Sequence, residues 1–173
     1  MEATMDRESS SHPVARSPSR PVTVALVGNP NTGKTTLFNA LAGMRQRVGN
    51  YPGVTVETKK GYVSHQGRSF DLVDLPGTYS LAPRSPDEMV AVDLILGQQE
   101  GEARPDVVVS IVDASNLERN LYLTTQVMEL GVPVVVALNM IDIAQGQGMV
   151  IDAERLGKQL GLRVVPIQAN KGK

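Results

Sequence analysis

The residues from Gly28 to Thr35 form the pattern in this chain most clearly fitted to chemistry. They read Gly-Asn-Pro-Asn-Thr-Gly-Lys-Thr and follow the apolar run Val22–Val27. Glycines in such a pattern let successive backbone N–H groups surround a phosphate where a helix begins. The lysine supplies positive charge to the outer phosphates, and the last threonine hydroxyl can ligate Mg²⁺. The alternative is a glycine-rich turn without a ligand. The predicted phosphate loop comprises Gly28, Asn29, Pro30, Asn31, Thr32, Gly33, Lys34, Thr35 and Thr36.

Two further segments carry groups suited to a bound phosphate and its metal ion. Asp74-Leu75-Pro76-Gly77 follows a predicted strand, so that Asp74 can join the Mg²⁺ shell and the Gly77 N–H can reach a terminal phosphate. Thr55 offers a hydroxyl that can ligate Mg²⁺ when a third phosphate is bound. The plainer alternatives are a turn after a strand for the first segment and an ordinary strand threonine for Thr55.

Asn139-Met140-Ile141-Asp142 has the residue types of a base-recognition segment. Guanine presents two donors, N1–H and the 2-amino group, and the single carboxylate of Asp142 can accept from both. Adenine lacks this pair, and a buried polar group left unpaired costs about 1–3 kcal/mol. Asn139 is expected to brace the phosphate loop or the base edge. The alternative is a helix cap after a strand. The segment predicts a preference for guanine.

The elements that must position these residues alternate between strand-like and helix-like segments. This alternation indicates an α/β fold with a mostly parallel sheet, whose ligand site lies at the carboxyl ends of the strands. Gln66-Gly67 is predicted to join an antiparallel hairpin, Met44–Val54 to be a loop, and Ser85–Glu88 and Ser115–Glu118 to be capping boxes that begin helices. The six predicted strands are Val22–Val27, Val54–Val63, Ser69–Val73, Pro105–Val112, Pro133–Leu138 and Arg163–Ile167. Predicted helices cover Lys34–Ala42, Ser85 to about Leu96, Ser115 to Leu130, and Asp152–Leu160.

The composition of the chain argues against several kinds of partner and metal site. The chain has 173 residues, a net charge of −1, no cysteine and two separated histidines, His12 and His65. We therefore expect no nucleic-acid partner, no thiolate metal site and little capacity of this domain to bind iron. The apolar runs are too short to cross a bilayer, which takes about 20 residues. Residues 1–21 are rich in Ser, Pro and Arg and are predicted to be a flexible tail before a domain spanning 22–173.

Taken in order, the phosphate loop, Thr55, Asp74–Gly77 and Asn139–Asp142 resemble the signature set of the translation-factor-class small GTPases. Three longer stretches, Val48–Glu57, Asp74–Leu81 and Val112–Leu121, resemble more narrowly the cytosolic G domain of the bacterial ferrous iron transport protein B (FeoB) family. The resemblance runs from about Val22 to the C-terminus.

This resemblance implies a P-loop NTPase of the Ras-like G-domain type, with helices on both faces of the sheet. It implies binding of GTP and GDP, hydrolysis of GTP, and switch loops around 44–57 and 74–84 that respond to the nucleotide. In the parent chain a helical regulatory domain and a membrane permease domain would follow, with the G domain on the cytoplasmic face of the bacterial inner membrane. We therefore expect this sequence to be C-terminally truncated. Whether the domain forms homo-oligomers is left open.

The resemblance also extends the site. Ala169 matches the alanine whose N–H contacts the guanine oxygen, and Gln168 stands where a serine is usual. Because no residues remain for the final helix of such a domain, the base pocket is expected to be less firmly held than in the parent chain. Similarity to potassium-stimulated GTPases implies that Asn31 ligates K⁺ beside the phosphates, with the backbone carbonyls of Gly49 and Tyr51. The alternative is that Asn31 only stabilises the turn.

For hydrolysis, the expected catalytic set is Lys34, Asn31, Thr55 and Gly77. Ras-like enzymes carry a water-orienting glutamine where this chain has Thr78, so intrinsic hydrolysis is expected to be slow and to depend on K⁺. Arg45 and Arg47 are weak candidates for an arginine finger. Two rival hypotheses remain: an ATP-using P-loop enzyme, and a nucleotide-dependent switch module with negligible hydrolysis.

Overall fold

A seven-stranded sheet forms the centre of the computed structural model, which describes residues 20–51 and 55–171. Most of the predicted tail, together with Gly53, Val54 and Lys173, lies outside these residues. The strands are β1 (Val22–Gly28), β2 (Gln46–Asn50), β3 (Glu57–His65), β4 (Arg68–Asp74), β5 (Val107–Asp113), β6 (Val134–Asn139) and β7 (Arg163–Pro166). The helices are α1 (Lys34–Ala42), α2 (Pro86–Leu96), α3 (Leu117–Glu129), α4 (Ile141–Gly146) and α5 (Ala153–Leu160).

The sheet has the order β2-β3-β4-β1-β5-β6-β7. β1 pairs in parallel with β4 and β5, and β5–β6 and β6–β7 are also parallel. β3 pairs antiparallel with both β2 and β4 and therefore runs opposite to the other strands. The mostly parallel sheet with one antiparallel strand is confirmed. Because β1, β4, β5 and β6 are parallel, their carboxyl ends meet at one edge.

The predicted count of six strands is wrong, because residues 44–54, predicted to be a loop, contain β2. Gly49 is paired with Thr58 of β3, and Arg47 with Lys60. All five residues of β2 are exposed. A strand that buries no side chain on either face has no apolar alternation, which is the signal that sequence periodicity depends on.

Helices cover both faces of the sheet. On one face Phe38 and Ala42 of α1 pack against Val24 and Leu26 of β1. On the other, α2 and α3 pack against the alternate residues of the same strand, Ala25 and Val27 among them. Since successive side chains of a strand point to opposite faces, the uninterrupted apolar run of β1 is what a strand covered on both faces requires.

Of the two serines predicted to cap helices, Ser85 does so and Ser115 does not. Ser85 caps α2, because its Oγ accepts a hydrogen bond from the Glu88 N–H at 3.2 Å. The prediction for Ser115 is wrong, since a 3₁₀ turn over Ala114–Asn116 precedes α3. There the Asp113 carboxylate accepts from both the backbone N–H and the hydroxyl of Ser115, at 2.8 and 2.7 Å. The Ser115 hydroxyl, which was predicted to cap α3, therefore donates its hydrogen bond to Asp113 instead.

Residues 20–51 and 55–171 lack two features that bear on membrane insertion and on metal binding. No helix in this part of the chain combines the length and the apolar character that crossing a membrane requires. The same residues contain no group of three or more His, Cys, Asp or Glu side chains arranged to hold a metal ion.

Candidate nucleotide-binding site

The loop between β1 and α1 has the backbone conformation expected of a phosphate cradle. Asn31 and Gly33 both have positive φ, 68° and 86°, and the Thr32 hydroxyl donates to the Asn29 carbonyl at 2.9 Å. A Cβ on Gly33 would lie 2.4 Å from Asn139 Nδ2, so only glycine fits there. The loop borders a pocket of about 500 Å³ lined by Asn29, Pro30, Asn31, Gly33, Lys34, Thr35, Thr36, Gly77 and Met140.

Lys34, Thr35 and Asp74 form a polar cluster beside this pocket. The Lys34 ammonium pairs with Asp74 Oδ1, and the Thr35 hydroxyl donates to Asp74 Oδ2 at 3.2 Å. Asp74 ends β4 opposite Leu26 of β1, which is why residues far apart in sequence meet here. The Asp74 carboxylate is 5% exposed and the Lys34 side chain 10%. A carboxylate and a hydroxyl at the edge of a phosphate pocket are the hard oxygen donors that suit Mg²⁺.

The chain after Asp74 lies directly against the phosphate loop. A Cβ on Gly77 would lie 3.3 Å from Pro30 N, and the Thr78 N–H donates to the Gly28 carbonyl at 3.2 Å. The Thr78 side chain is fully buried, and its hydroxyl donates to the Ser80 carbonyl at 2.7 Å. Thr78 stands at the sequence position of the water-orienting glutamine of Ras-like enzymes. In this structure its side chain forms a hydrogen bond within its own loop.

A second, smaller pocket of about 130 Å³ adjoins the phosphate loop. It is lined by Gly33, Thr36, Asn139, Met140, Asp142, Ile143, Ala169 and Asn170. Met140 adopts the left-handed conformation, with φ 60°, and immediately precedes α4, whose first turn carries the exposed Asp142. The half-buried Gln168 precedes Ala169. Four of the five predicted base-recognition residues, Asn139, Met140, Asp142 and Ala169, thus line one cavity, and Gln168 does not.

Asn139 connects the two pockets. Its Nδ2 donates to the Thr32 carbonyl at 2.9 Å, and its Oδ1 accepts from the Ala169 N–H at 3.2 Å. The side chain is 5% exposed. Of the two roles expected for Asn139, contact with the phosphate loop is the one present in this structure.

Three of the predicted ligands lie apart from this cluster. Thr55 is exposed ahead of β3, Gly49 belongs to β2, and Tyr51 is buried in the core with its N–H bonded to the Val56 carbonyl at 3.0 Å. None of them lines the phosphate pocket, whereas the exposed Asn31 does. Burial raises the pKa of the Tyr51 phenol above its usual range, against a smaller opposing effect of Thr58.

Sequence reasoning missed two contacts that α3 makes with the chain after Gly77. The Arg119 guanidinium lies over the Tyr79 ring, 4.2 Å from its centroid, and Gln126 Oε1 accepts from the Leu81 N–H at 2.9 Å. The one sequence feature that pointed to Arg119 is its place in Val112–Leu121, a stretch that resembles the FeoB family. The resemblance assigned no role to this residue.

Comparison with known proteins identifies the family. The family model described as Ferrous iron transport protein B matches residues 22–173, which is all of the chain after residue 21. The chain belongs to the ferrous iron transport protein B (FeoB) family. Over 156 residues it is 53% identical to the Fe(2+) transporter FeoB of Salmonella typhimurium, and equally so to that of Escherichia coli. The match covers 88% of this chain and 20% of each relative, so the chain spans about a fifth of their length.

Solved structures of FeoB domains share the fold. The cytosolic domain of L. pneumophila FeoB is 50% identical with a TM-score of 0.81, covering 87% of this chain and 63% of that one. The G domain of T. maritima FeoB is 44% identical with a TM-score of 0.78, covering 88% and 90%. An S. thermophilus NFeoB mutant bound to GDP is 52% identical with a TM-score of 0.79, covering 87% and 57%. The expected G-domain fold of the P-loop NTPases is confirmed.

Proposed function

We propose that this domain binds GTP and GDP, hydrolyses GTP to GDP and phosphate, and acts as the regulatory G domain of a ferrous iron membrane transporter. The observation that carries the proposal is the bond from Asn139 to Thr32, which joins a pocket suited to phosphates to a pocket suited to a base. The S. thermophilus FeoB relative bound to GDP supports the same ligand class.

The phosphates would enter beside Lys34, whose ammonium now pairs with Asp74. A triphosphate offers Lys34 a more highly charged partner, which releases the Asp74 carboxylate. Thr35 and Asp74 would then hold Mg²⁺, joined by Thr55 in the triphosphate state. When bound, the metal ion neutralises charge on the β- and γ-phosphates. The Gly77 N–H, close to Pro30, is suited to donate to the terminal phosphate.

Guanine would occupy the pocket beside α4, with Asp142 accepting from N1–H and the 2-amino group. The Ala169 amide is suited to the guanine oxygen, although here it bonds to Asn139. An ATP-using enzyme is the disfavoured rival, because adenine would leave the carboxylate without its two donors.

In hydrolysis a water molecule attacks the γ-phosphorus, and the bond between that phosphorus and the β–γ bridging oxygen breaks. GDP leaves with the bridging oxygen, and the proton of the attacking water passes to an oxygen of the phosphate product or to solvent. The protein contributes mainly positioning and charge. Because the Thr78 hydroxyl is buried in its own turn, we infer a slow intrinsic rate. Asn31, exposed at the pocket, is suited to ligate K⁺, with Gly49 and Tyr51 joining only after residues 44–57 rearrange. The same burial of Thr78 favours the second candidate, a switch module with negligible turnover.

The partners we propose are the later parts of the parent chain, a helical regulatory domain and a membrane permease domain. The coverage of only 20% of the curated relatives supports their existence. The domain would then lie on the cytoplasmic face of the inner membrane.

The first experiment is displacement of a fluorescent GDP analogue by GDP, GTP and ATP in magnesium buffer. Displacement by the guanine nucleotides alone is expected, and equal displacement by ATP would overturn the assignment of Asp142. Phosphate release is then compared in K⁺ and Na⁺ for the wild type and Asn31→Ala. A rate that is equal in both salts removes the K⁺ proposal, and a rate near zero in both favours the switch module.

A further inference from the structure

Arg119 contacts two parts of the nucleotide site at once, although no role has been assigned to it. Its guanidinium lies 4.2 Å from the centroid of the Tyr79 ring, two residues after Gly77. Its backbone carbonyl accepts from Asn29 Nδ2 of the phosphate loop at 3.4 Å. The first turn of α3 therefore links the loop on one side of the pocket to the segment on the other.

A second contact from the same helix fixes the other end of this segment. Gln126 Oε1 accepts from the Leu81 N–H at 2.9 Å, and the Thr78 N–H donates to the Gly28 carbonyl at 3.2 Å. Residues 78–81 are thus held at three successive points, first by β1 and then twice by α3. Tyr79 is 41% exposed, so burial alone does not fix its position.

We propose that Arg119 is a positioning residue whose guanidinium, through Tyr79, keeps Gly77 at the phosphate pocket and so favours GTP over GDP. This inference rests on the proposed function. Gly77 is the predicted donor to the third phosphate, which GDP lacks. An element that holds Gly77 against Pro30 lowers the conformational cost of GTP binding and leaves GDP binding nearly unchanged.

The size of the effect follows from the contact. A cation–π pair at an exposed site is worth about 0.5–1 kcal/mol. Its removal is expected to lower the affinity for a non-hydrolysable GTP analogue, relative to GDP, by about two- to five-fold. A purely structural role would lower both affinities together.

The test measures both dissociation constants by calorimetry, in magnesium buffer, for the wild type, four single variants and one double variant. Arg119→Ala and Tyr79→Ala remove the pair, and Tyr79→Phe keeps the ring. Tyr122→Ala is the matched control, because Tyr122 is an aromatic residue of α3 that is 59% exposed and lines the same surface pocket as Tyr79 and Arg119.

The expected result is a lower ratio of GTP-analogue to GDP affinity in the two alanine variants of the pair, and the wild-type ratio in Tyr79→Phe and Tyr122→Ala. The double variant Arg119→Ala/Tyr79→Ala should lose no more than either single variant. An unchanged ratio, or equal losses for both nucleotides, overturns the proposal. Failure of the wild type to bind GDP would instead overturn the proposed function.

Discussion

The side-chain amide of Asn139 donates to the backbone carbonyl of Thr32 across 2.9 Å, joining residues 107 positions apart. The opposite end of the same carboxamide accepts from Ala169. One small side chain therefore holds the phosphate loop, the end of β6 and the segment after β7 in a fixed arrangement, before any ligand contributes to it.

Replacing Asn139 with alanine should weaken binding of every guanine nucleotide. The change leaves the Thr32 carbonyl and the Ala169 N–H without their partner, and a buried unpaired group costs about 1–3 kcal/mol. We expect GDP affinity to fall about tenfold or more by calorimetry. Asn39→Ala, at an exposed position of α1, is the control. Unchanged GDP affinity in Asn139→Ala would show that the carboxamide does not organise the site.

Gly33→Ala should be far more harmful than an alanine at a glycine of similar conformation. Gly33 and Gly161 both lie in the left-handed region, with φ 86° and 69°. A Cβ at Gly161 has no atom within 4 Å, whereas at Gly33 it would lie 2.4 Å from Asn139 Nδ2.

We therefore expect Gly161→Ala to lower the free energy of unfolding by about 1–2 kcal/mol, the cost of left-handed backbone for an L-residue. Gly33→Ala should lose more stability in urea unfolding and also lose GDP binding. Equal losses in the two variants would contradict the steric argument.

Asp142→Asn should exchange one base preference for another. Xanthine carries a carbonyl where guanine has the 2-amino group, so an asparagine amide can donate to that carbonyl and accept from N1–H. GDP affinity is expected to fall about tenfold or more, and xanthosine diphosphate affinity to rise by a similar factor. For the wild type, both affinities are measured by competition against a fluorescent GDP analogue. For the variant, calorimetry measures the dissociation constants of GDP and xanthosine diphosphate. Asp71→Asn, at an exposed position of β4, should keep the guanine preference.

Asp106 should make the domain sensitive to acid. Hydrogen bonds from Arg20 and from the Thr23 N–H hold the pKa of the Asp106 carboxyl below its usual range. A lowered folded-state pKa contributes stability above the unfolded value of about 3.9, and this stability is lost as the pH falls through the folded value.

The difference in melting temperature between the wild type and Asp106→Asn should therefore shrink between about pH 6 and about pH 3. A difference that stays constant over this range would show that the ion pair with Arg20 does not contribute. Asp71→Asn again serves as the control.

The sequence predicted α1 with its observed bounds, because an apolar strand, a phosphate-loop pattern and a glycine stop all agree there. The sequence also predicted that Asp74 lies near the phosphate loop, because both follow strands whose carboxyl ends lie at the same edge of the sheet. It did not predict α4, which follows the left-handed residue Met140 and has no side-chain cap. The bond between Asn139 and Ala169, like the contact of Arg119 with Tyr79, depends on packing between distant segments that local patterns do not encode.

The exposed strand β2 gives the domain a region of low local stability next to a rigid core. All five of its residues are exposed, and it lies at the edge of the sheet. Detaching β2 therefore costs little beyond its backbone hydrogen bonds, and its amide protons should exchange with solvent much faster than those of β1. The domain could move Gly49 toward a nucleotide by local unfolding at this edge while the parallel strands stay intact.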